Sequence, residues 1–155
     1  MNPGGSPSPR IRRFIPADLP GLYALLSDAE VMRWLEPPFT REKAARFLQS
    51  AGLSEPPLIY AAEDAEGRFI GYVIYHAYDA DSMEIGWVLA RAFWGKGYAQ
   101  RLTAALIRQA HSAGKAAVIE CLPEQRISRH IAEKFGFIRA GQRDACDVYR
   151  LEPRK

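Results

Sequence analysis

Cysteine and histidine are scarce in this chain, with two of the first and three of the second in 155 residues. Cys121, inside an apolar strand-like run, and Cys146, towards the end of the chain, form no spaced pairs, so a disulfide framework is not indicated and a reduced setting is expected. Long apolar runs are missing too. None approaches the ~18 residues of a membrane span, and residues 1–10 hold no apolar segment of the signal-peptide kind, so the expectation is a cytoplasmic protein with no membrane partner. Charge of one sign is also in short supply. A net charge of +3 suits a polyanionic small ligand and falls short of a nucleic-acid signature, which would rest on Arg12-Arg13 alone. What remains is ordinary for a globular protein, 48% hydrophobic and 25% charged, and the length suits one domain with a sizeable core.

The most informative stretch runs from Met83 to Gly114. Met83, Ile85, Trp87 and Leu89 alternate with Glu84, Gly86, Val88 and Ala90, which predicts a strand. Tyr98, Leu102, Ala105, Leu106 and Ala110 fall on one stripe and predict a helix over 100–113, with Gly114 placed to end it. Between them lies Trp94-Gly95-Lys96-Gly97-Tyr98-Ala99. Glycines at alternate positions opening into a helix make a cradle for an anion, because first-turn N–H groups and the helix dipole both favour negative charge there. The same spacing also suits a plain tight turn. It is neither a P-loop, since no Ser or Thr follows Lys96, nor a dinucleotide fingerprint, since a third glycine is absent.

In chain order, residues 1–10 are rich in Gly, Ser and Pro and are expected to be a disordered tail ahead of a single domain over 11–152. Ile11 to Ile15 predicts a short strand, Asp18 an N-cap for a helix burying Leu19, Leu22, Leu25 and Leu26, and 28–35 a second helical piece stopped by Pro37-Pro38. Thr40 caps a third helix that turns Ala44, Phe47 and Leu48 inward. Segments 58–63 and 68–78 read as a hairpin turned at Asp64-Ala65-Glu66-Gly67, and a turn at 79–82 feeds the central strand. The following helix then crosses over to a parallel strand over 116–122. A helix over 127–135 stopped by Gly136 and a terminal hairpin of 137–140 and 146–151, with Gly141 in its turn, complete the chain. The fold class expected is α/β (α+β), a mixed, mostly antiparallel central sheet flanked by helices.

Three segments carry a resemblance to a known family: Glu84-Ile85-Gly86-Trp87-Val88-Leu89, Trp94-Gly95-Lys96-Gly97-Tyr98-Ala99, and Ser128-Arg129-His130-Ile131-Ala132-Glu133-Lys134-Phe135-Gly136-Phe137. Together they resemble the GNAT superfamily of N-acetyltransferases, and the Trp-Gly-Lys-Gly-Tyr-Ala form looks most like its RimJ/RimL-type branch. The resemblance implies the GNAT-like acyl-CoA N-acyltransferase fold, acetyl-CoA as cosubstrate with no metal, a primary amine as acceptor, and direct attack in a ternary complex. Dimers are common for this fold, so a homodimer is compatible with it. By the same resemblance the backbone of Trp87, Val88 and Leu89 meets pantetheine, and Trp94, Gly95, Lys96, Gly97, Tyr98 and Ala99 meet the pyrophosphate. Where many members of the family have Gln or Arg ahead of that loop, this chain has Ala92, which leaves binding to backbone amides.

For the chemistry, Glu84 is the candidate base, with an exposed or ion-paired strand residue as the plainer reading. His76 reads as a satisfied, half-buried histidine, His111 has no role, and His130 is a remote alternative. The tyrosine that many members place before the second motif's Glu-Lys is Ala132 here. Ser128 then has two readings, a donor to the leaving sulfur and a helix N-cap, while Gln125 stands where the branch has Asn. Trp34, Leu35, Glu36 and Tyr149 would line the acceptor pocket by resemblance, or else Trp34 and Leu35 belong to the core. The alternative function is a non-catalytic acyl-CoA-binding regulatory module, kept open by Ala92, Gln125 and the missing tyrosine.

Overall fold

The computed structural model describes residues 8–154; residues 1–7, most of the expected tail, and residue 155 lie outside the described residues. Seven strands, β1 (Arg10–Arg12), β2 (Ile59–Glu63), β3 (Phe69–Asp79), β4 (Ser82–Leu89), β5 (Ala116–Cys121), β6 (Ile138–Arg143) and β7 (Cys146–Leu151), form one sheet in the order β1-β2-β3-β4-β5-β7-β6. Four α-helices accompany it among the described residues: α1 (Leu19–Leu26), α2 (Arg41–Phe47), α3 (Tyr98–Ser112) and α4 (Arg126–Lys134). β4 and β5 run parallel, while β1 with β2, β2 with β3, β5 with β7 and β6 with β7 run antiparallel. This is the mixed, mostly antiparallel sheet that the strand spacing and the α3 crossover dictate. None of the described helices is long and apolar enough to cross a membrane.

The chain divides into two compact units, and β3, β4 and α3 each pass from one to the other. The first holds the described residues up to Ile74 together with Trp87–Leu102. Its core gathers Leu22, Leu25 and Leu26 of α1, Ala44 of α2, Ala61 of β2 and Val88 of β4. At about 25 cal/mol per Å² of apolar surface, each fully buried leucine contributes about 2 kcal/mol. Arg12 ties the unit's first strand down, donating to Glu63 at 2.7 Å and to both oxygens of Asp18 at 2.8 Å. Burial pushes the Asp18 carboxyl up, but the Arg12 bonds and the Ile15 N–H outweigh it and hold the group below the ordinary aspartate value.

That use of Asp18 corrects one expectation. The carboxylate accepts from Ile15 N–H at 2.9 Å and does not cap α1, because Arg12 and Ile15 hold both oxygens. It also ends β1 at Arg12 instead of Ile15, since the Ile15 amide turns to Asp18. Residues 28–35 form successive turns instead of a helix; Asp28 Oδ1 accepts Glu30 N–H at 3.0 Å while Oδ2 takes Arg91 at 2.7 Å, a side-chain competition that favours turns over helix. Thr40 caps α2 as expected, its Oγ1 accepting Lys43 N–H at 3.2 Å, but the helix continues as a wider turn over Leu48–Gly52 that periodicity does not reveal.

The second unit holds Tyr75–Gly86 and the chain from Thr103 onward. Gly114 ends α3 with φ +74, Gly114 N–H bonding His111 O and Lys115 N–H bonding Ala110 O, and Gly136 ends α4 in the same way. Ile85, Leu106, Val118, Ile131 and Phe137 are buried in this unit. The terminal hairpin departs from expectation. Its turn is Asp144-Ala145, both with positive φ as a two-residue hairpin turn requires, and Gly141 instead sits inside β6, where the register slips between Arg139 and Gly141. Glycine is needed there for the bulge (φ +151) and not for the reversal.

Within the first unit, Gly71 of β3 has φ +147, and a Cβ on it would overlap the Val88 carbonyl oxygen of β4. Gly71→Ala is therefore expected to destabilise the protein by about 3 kcal/mol, combining backbone strain with overpacking. Urea unfolding measures it, and a loss under about 1 kcal/mol would show that β3 can draw back without cost.

Candidate functional site

Two groups of residues gather chemistry, one in each unit. In the first, β4 runs into a single 3₁₀ turn, Arg91–Phe93, and then into the glycine turn before α3. Gly95 and Gly97 hold φ of +72 and +82, and a Cβ at Gly95 would meet nothing within 4 Å. The glycines are thus set by backbone conformation, with open space above the loop. Trp94 through Gly97 are exposed. The α3 ladder opens with Arg101 N–H donating to Gly97 O at 3.2 Å, so the amides from Gly95 to Tyr98 stand outside it, the arrangement an anion exploits.

Charge around this loop comes from Lys96 of the motif and from residues that motif reading passed over. Arg101, one turn into α3, reaches back to Lys96 O at 3.4 Å and lies against Gly97 and the Tyr98 ring. Lys96 and Arg68 both sit over the Phe93 ring, at 5.8 and 5.4 Å. Arg68 is paired with Asp64 at 2.6 Å, so it is Arg101 and Lys96 that supply positive charge beside the 3₁₀ turn, where the Ala92 side chain has none. Trp94 Nε1 donates to Leu89 O at 2.8 Å, which fixes the indole against the end of β4. Val88 is buried in the core of this unit, Leu89 is buried, and Trp87 is half-buried.

In the second unit a cavity of about 320 Å³ is lined by His76, Ala77 and Tyr78 of β3, Glu84 of β4, Glu120 of β5, Arg143 at the end of β6 and Asp144 of the β6–β7 turn. Glu84 and His76 are half-buried in it, 24% and 29% exposed, with His76 Nε2 3.8 Å from Glu84 Oε1. Burial pushes the Glu84 carboxyl above the ordinary glutamate value; His76 and Arg143 pull it down, and Glu120 adds to the rise. Arg143 lies 3.9 Å from Glu120 and over the Tyr78 ring. Sequence periodicity pointed to Glu84 alone. Glu120 is a single charge in an apolar strand run, a pattern that could have flagged it, whereas Arg143 and Asp144 reach the cavity only through the β6 bulge and its displaced turn.

Ser128 is half-buried at the third position of α4, and Gln125 holds the N-cap position, so the N-cap reading of Ser128 falls. Gln125 Oε1 accepts Leu122 N–H at 2.8 Å, closing the turn after β5. Its side chain is spent on that turn and makes no capping bond to the first turn of α4. Trp34 and Leu35 are 39% and 46% exposed, so they are not core, and Glu36 pairs with Lys43 at 3.1 Å. Tyr149 is buried against the sheet, paired with Ile119 and Arg139. Cys121 is a free, buried thiol pushed up to about 11, chiefly by burial and then by Asp147. Among the described residues no group of three or more His, Cys, Asp or Glu is arranged to hold a metal ion.

A family profile described as an acetyltransferase (GNAT) domain matches residues 10–138. Among solved structures, an acetyltransferase of the GNAT family from Bacillus anthracis superposes with a TM-score of 0.79 at 24% identity, covering 94% of each chain. RimL, a ribosomal L7/L12 alpha-N-protein acetyltransferase solved with coenzyme A, gives 0.78 at 17% identity, again over 94% of each chain. Spermidine N-acetyltransferase from Vibrio cholerae, solved with CoA and spermine, gives 0.74 at 21%, over 93% of this chain and 94% of its own. A search among curated proteins by sequence finds no match.

A carboxyl held above its ordinary value favours the folded state below pH 4.5, and that contribution is lost as pH rises through the folded value. Glu84→Gln is therefore expected to unfold at a higher urea concentration than the native chain at pH 7, with the gain disappearing below pH 4.5. Equal midpoints at both pH values would mean that Glu84 ionises in the fold as freely as in water.

Proposed function

The chain belongs to the GNAT acetyltransferase family, and on that premise we propose that it is an acetyl-CoA-dependent N-acetyltransferase of the RimJ/RimL-type branch. The acceptor in this reading is a primary amine, of a protein N-terminus or a small molecule. Its domain spans 11–152 and works in the cytoplasm, a setting that suits the two free cysteines; a homodimer is compatible with it. The observation that carries the proposal is the family match over residues 10–138 combined with a half-buried Glu84 held above its ordinary ionisation range. A carboxylate in that condition is a better base near neutral pH than an exposed one.

The residues present suit a CoA donor. Open space above Gly95, positive φ at both glycines and the nearby Arg101 and Lys96 fit a pyrophosphate, with Trp94, Tyr98 and Ala99 completing the loop. Acetyl-CoA would supply the acetyl thioester. In this reading pantetheine runs along the extended backbone of Trp87, Val88 and Leu89, where Val88 O is turned to Gly71 and Leu89 O accepts Trp94 Nε1, while the Val88 and Leu89 side chains stay in the core. Glu84 takes the acceptor's proton, so that the attacking nitrogen carries a lone pair. Ser128 donates to the departing sulfur, and Gln125 holds the turn that presents it. Direct attack suits a chain whose Cys121 is buried with a strongly raised ionisation range, unfit to carry an acyl group.

A thiol-release assay with acetyl-CoA across peptides with free N-termini, amino acids, polyamines and aminoglycosides tests this reading. Glu84→Gln is expected to lower kcat on the order of 10²-fold or more while CoA affinity holds within about twofold, and Ser128→Ala to cost less than ~10²-fold. Gly97→Val should do the reverse, abolishing CoA binding through its positive φ. CoA binding without thiol release from any amine would favour the regulatory module instead.

A further inference from the structure

We propose that His76 is a positioning residue for Glu84 and the exit for the proton that Glu84 takes from the acceptor amine. This rests on the reading of Glu84 as the base. The geometry comes from both ring nitrogens. Nδ1 lies 3.0 Å from Ala77 O, and since a carbonyl only accepts, the neutral ring must carry its proton there. That tautomer leaves the Nε2 lone pair facing Glu84 Oε1 at 3.8 Å inside the same cavity. The tautomer of a histidine is fixed by the partner of its other nitrogen, and here the partner is backbone.

The step balances without a further reactant. An N–H bond of the acceptor breaks as a Glu84 O–H bond forms. The Glu84 O–H bond then breaks as an Nε2–H bond forms, which regenerates the carboxylate and leaves an imidazolium. Water takes that proton from the 29%-exposed ring. The 3.8 Å separation closes as substrate binds, since catalytic hydrogen bonds tighten in the substrate complex.

Other charged groups face the pair and decide which way it is biased. Tyr78 stands on β3, Glu120 on β5, Arg143 and Asp144 at the β6–β7 turn and Cys146 on β7. Glu120 is engaged by Arg143 at 3.9 Å, and Arg143 also lies over the Tyr78 ring at 5.4 Å. His76 is thus the cation source closest to Glu84 that can also lose its charge. When protonated it draws the Glu84 carboxyl down, opposing the rise that burial causes.

The test compares the native chain with His76→Gln in two measurements: the pH profile of kcat/KM by thiol release, and the titration of the Glu84 carboxyl carbon by NMR, assigned with Glu84→Gln. Expected for His76→Gln is a fall in kcat of about tenfold, smaller than loss of the base itself. The amine KM should stay within about twofold, and the acidic limb and the Glu84 midpoint should both move to higher pH. A variant whose rate, acidic limb and midpoint all match the native chain overturns the pair while leaving Glu84 as base. Native turnover with an undiminished Glu84→Gln rate overturns the reading of Glu84 and the relay with it.

Discussion

How closely β3 can lie against β4 at Gly71 governs how the chain leaves the end of β4 for the glycine turn. The Val88 carbonyl occupies the space that any side chain at position 71 would need, and Ala90 N–H then reaches Ile70 O at 2.9 Å. The β2–β3 register skips Ile70 between Gly71 and Phe69, so the glycine lies at a bulge that bends β3 where it approaches Val88. Downstream of this contact the chain has little freedom before the glycine turn. The 3₁₀ turn at Arg91–Phe93 is held by Phe93 N–H on Ala90 O, by Trp94 N–H on Arg91 O and by the Asp28–Arg91 pair. The loop that would hold a pyrophosphate is therefore aimed by backbone contacts, whatever the side chain at position 92.

That arrangement explains why a sequence departing from its family's pattern at Ala92 can still present a cationic loop. Charge lost from one position reappears from two directions, forward from Arg101 on α3 and from Lys96 within the loop, while Arg68 across the Phe93 ring is paired with Asp64 at 2.6 Å. An anion site needs field and N–H donors more than one particular side chain. Motif comparison, position by position, sees the loss and misses the replacement.

Local signals in the sequence were reliable where the physics is local. Alternation located β4, the stripe of Leu102, Leu106 and Ala110 located α3, and Gly114 and Gly136 ended their helices because a left-handed residue there costs glycine little. Thr40 capped α2 for a similarly local reason. The misreadings all involve a partner distant in sequence or a bond that could go two ways. Asp18 looks like a cap until Arg12 claims it, residues 28–35 look helical until Asp28 bonds Arg91, and Gly141 looks like a turn until β7 sets the register of β6. The same limit hid most of the candidate site. Glu84 was legible from its face of β4, but Glu120, Arg143 and Asp144 join it through strand order alone.

The displaced hairpin turn shows what that order contributes. Placing Gly141 in the bulge carries β6 on to Arg143, and the reversal falls on Asp144 and Ala145, two residues that take positive φ at a cost of roughly 1–2 kcal/mol each. A glycine at either position would lower that cost, yet the chain keeps side chains there, and the one at 144 lines the cavity that holds Glu84. Strain of this kind persists where surrounding structure over-determines it and tends to gather at working sites. Here the bulge, the turn and the pairing of Arg143 with Glu120 supply the determination. The terminal hairpin, more than fifty residues beyond Glu84 in sequence, thereby sets the electrostatic surroundings of the carboxylate on which the proposed chemistry rests.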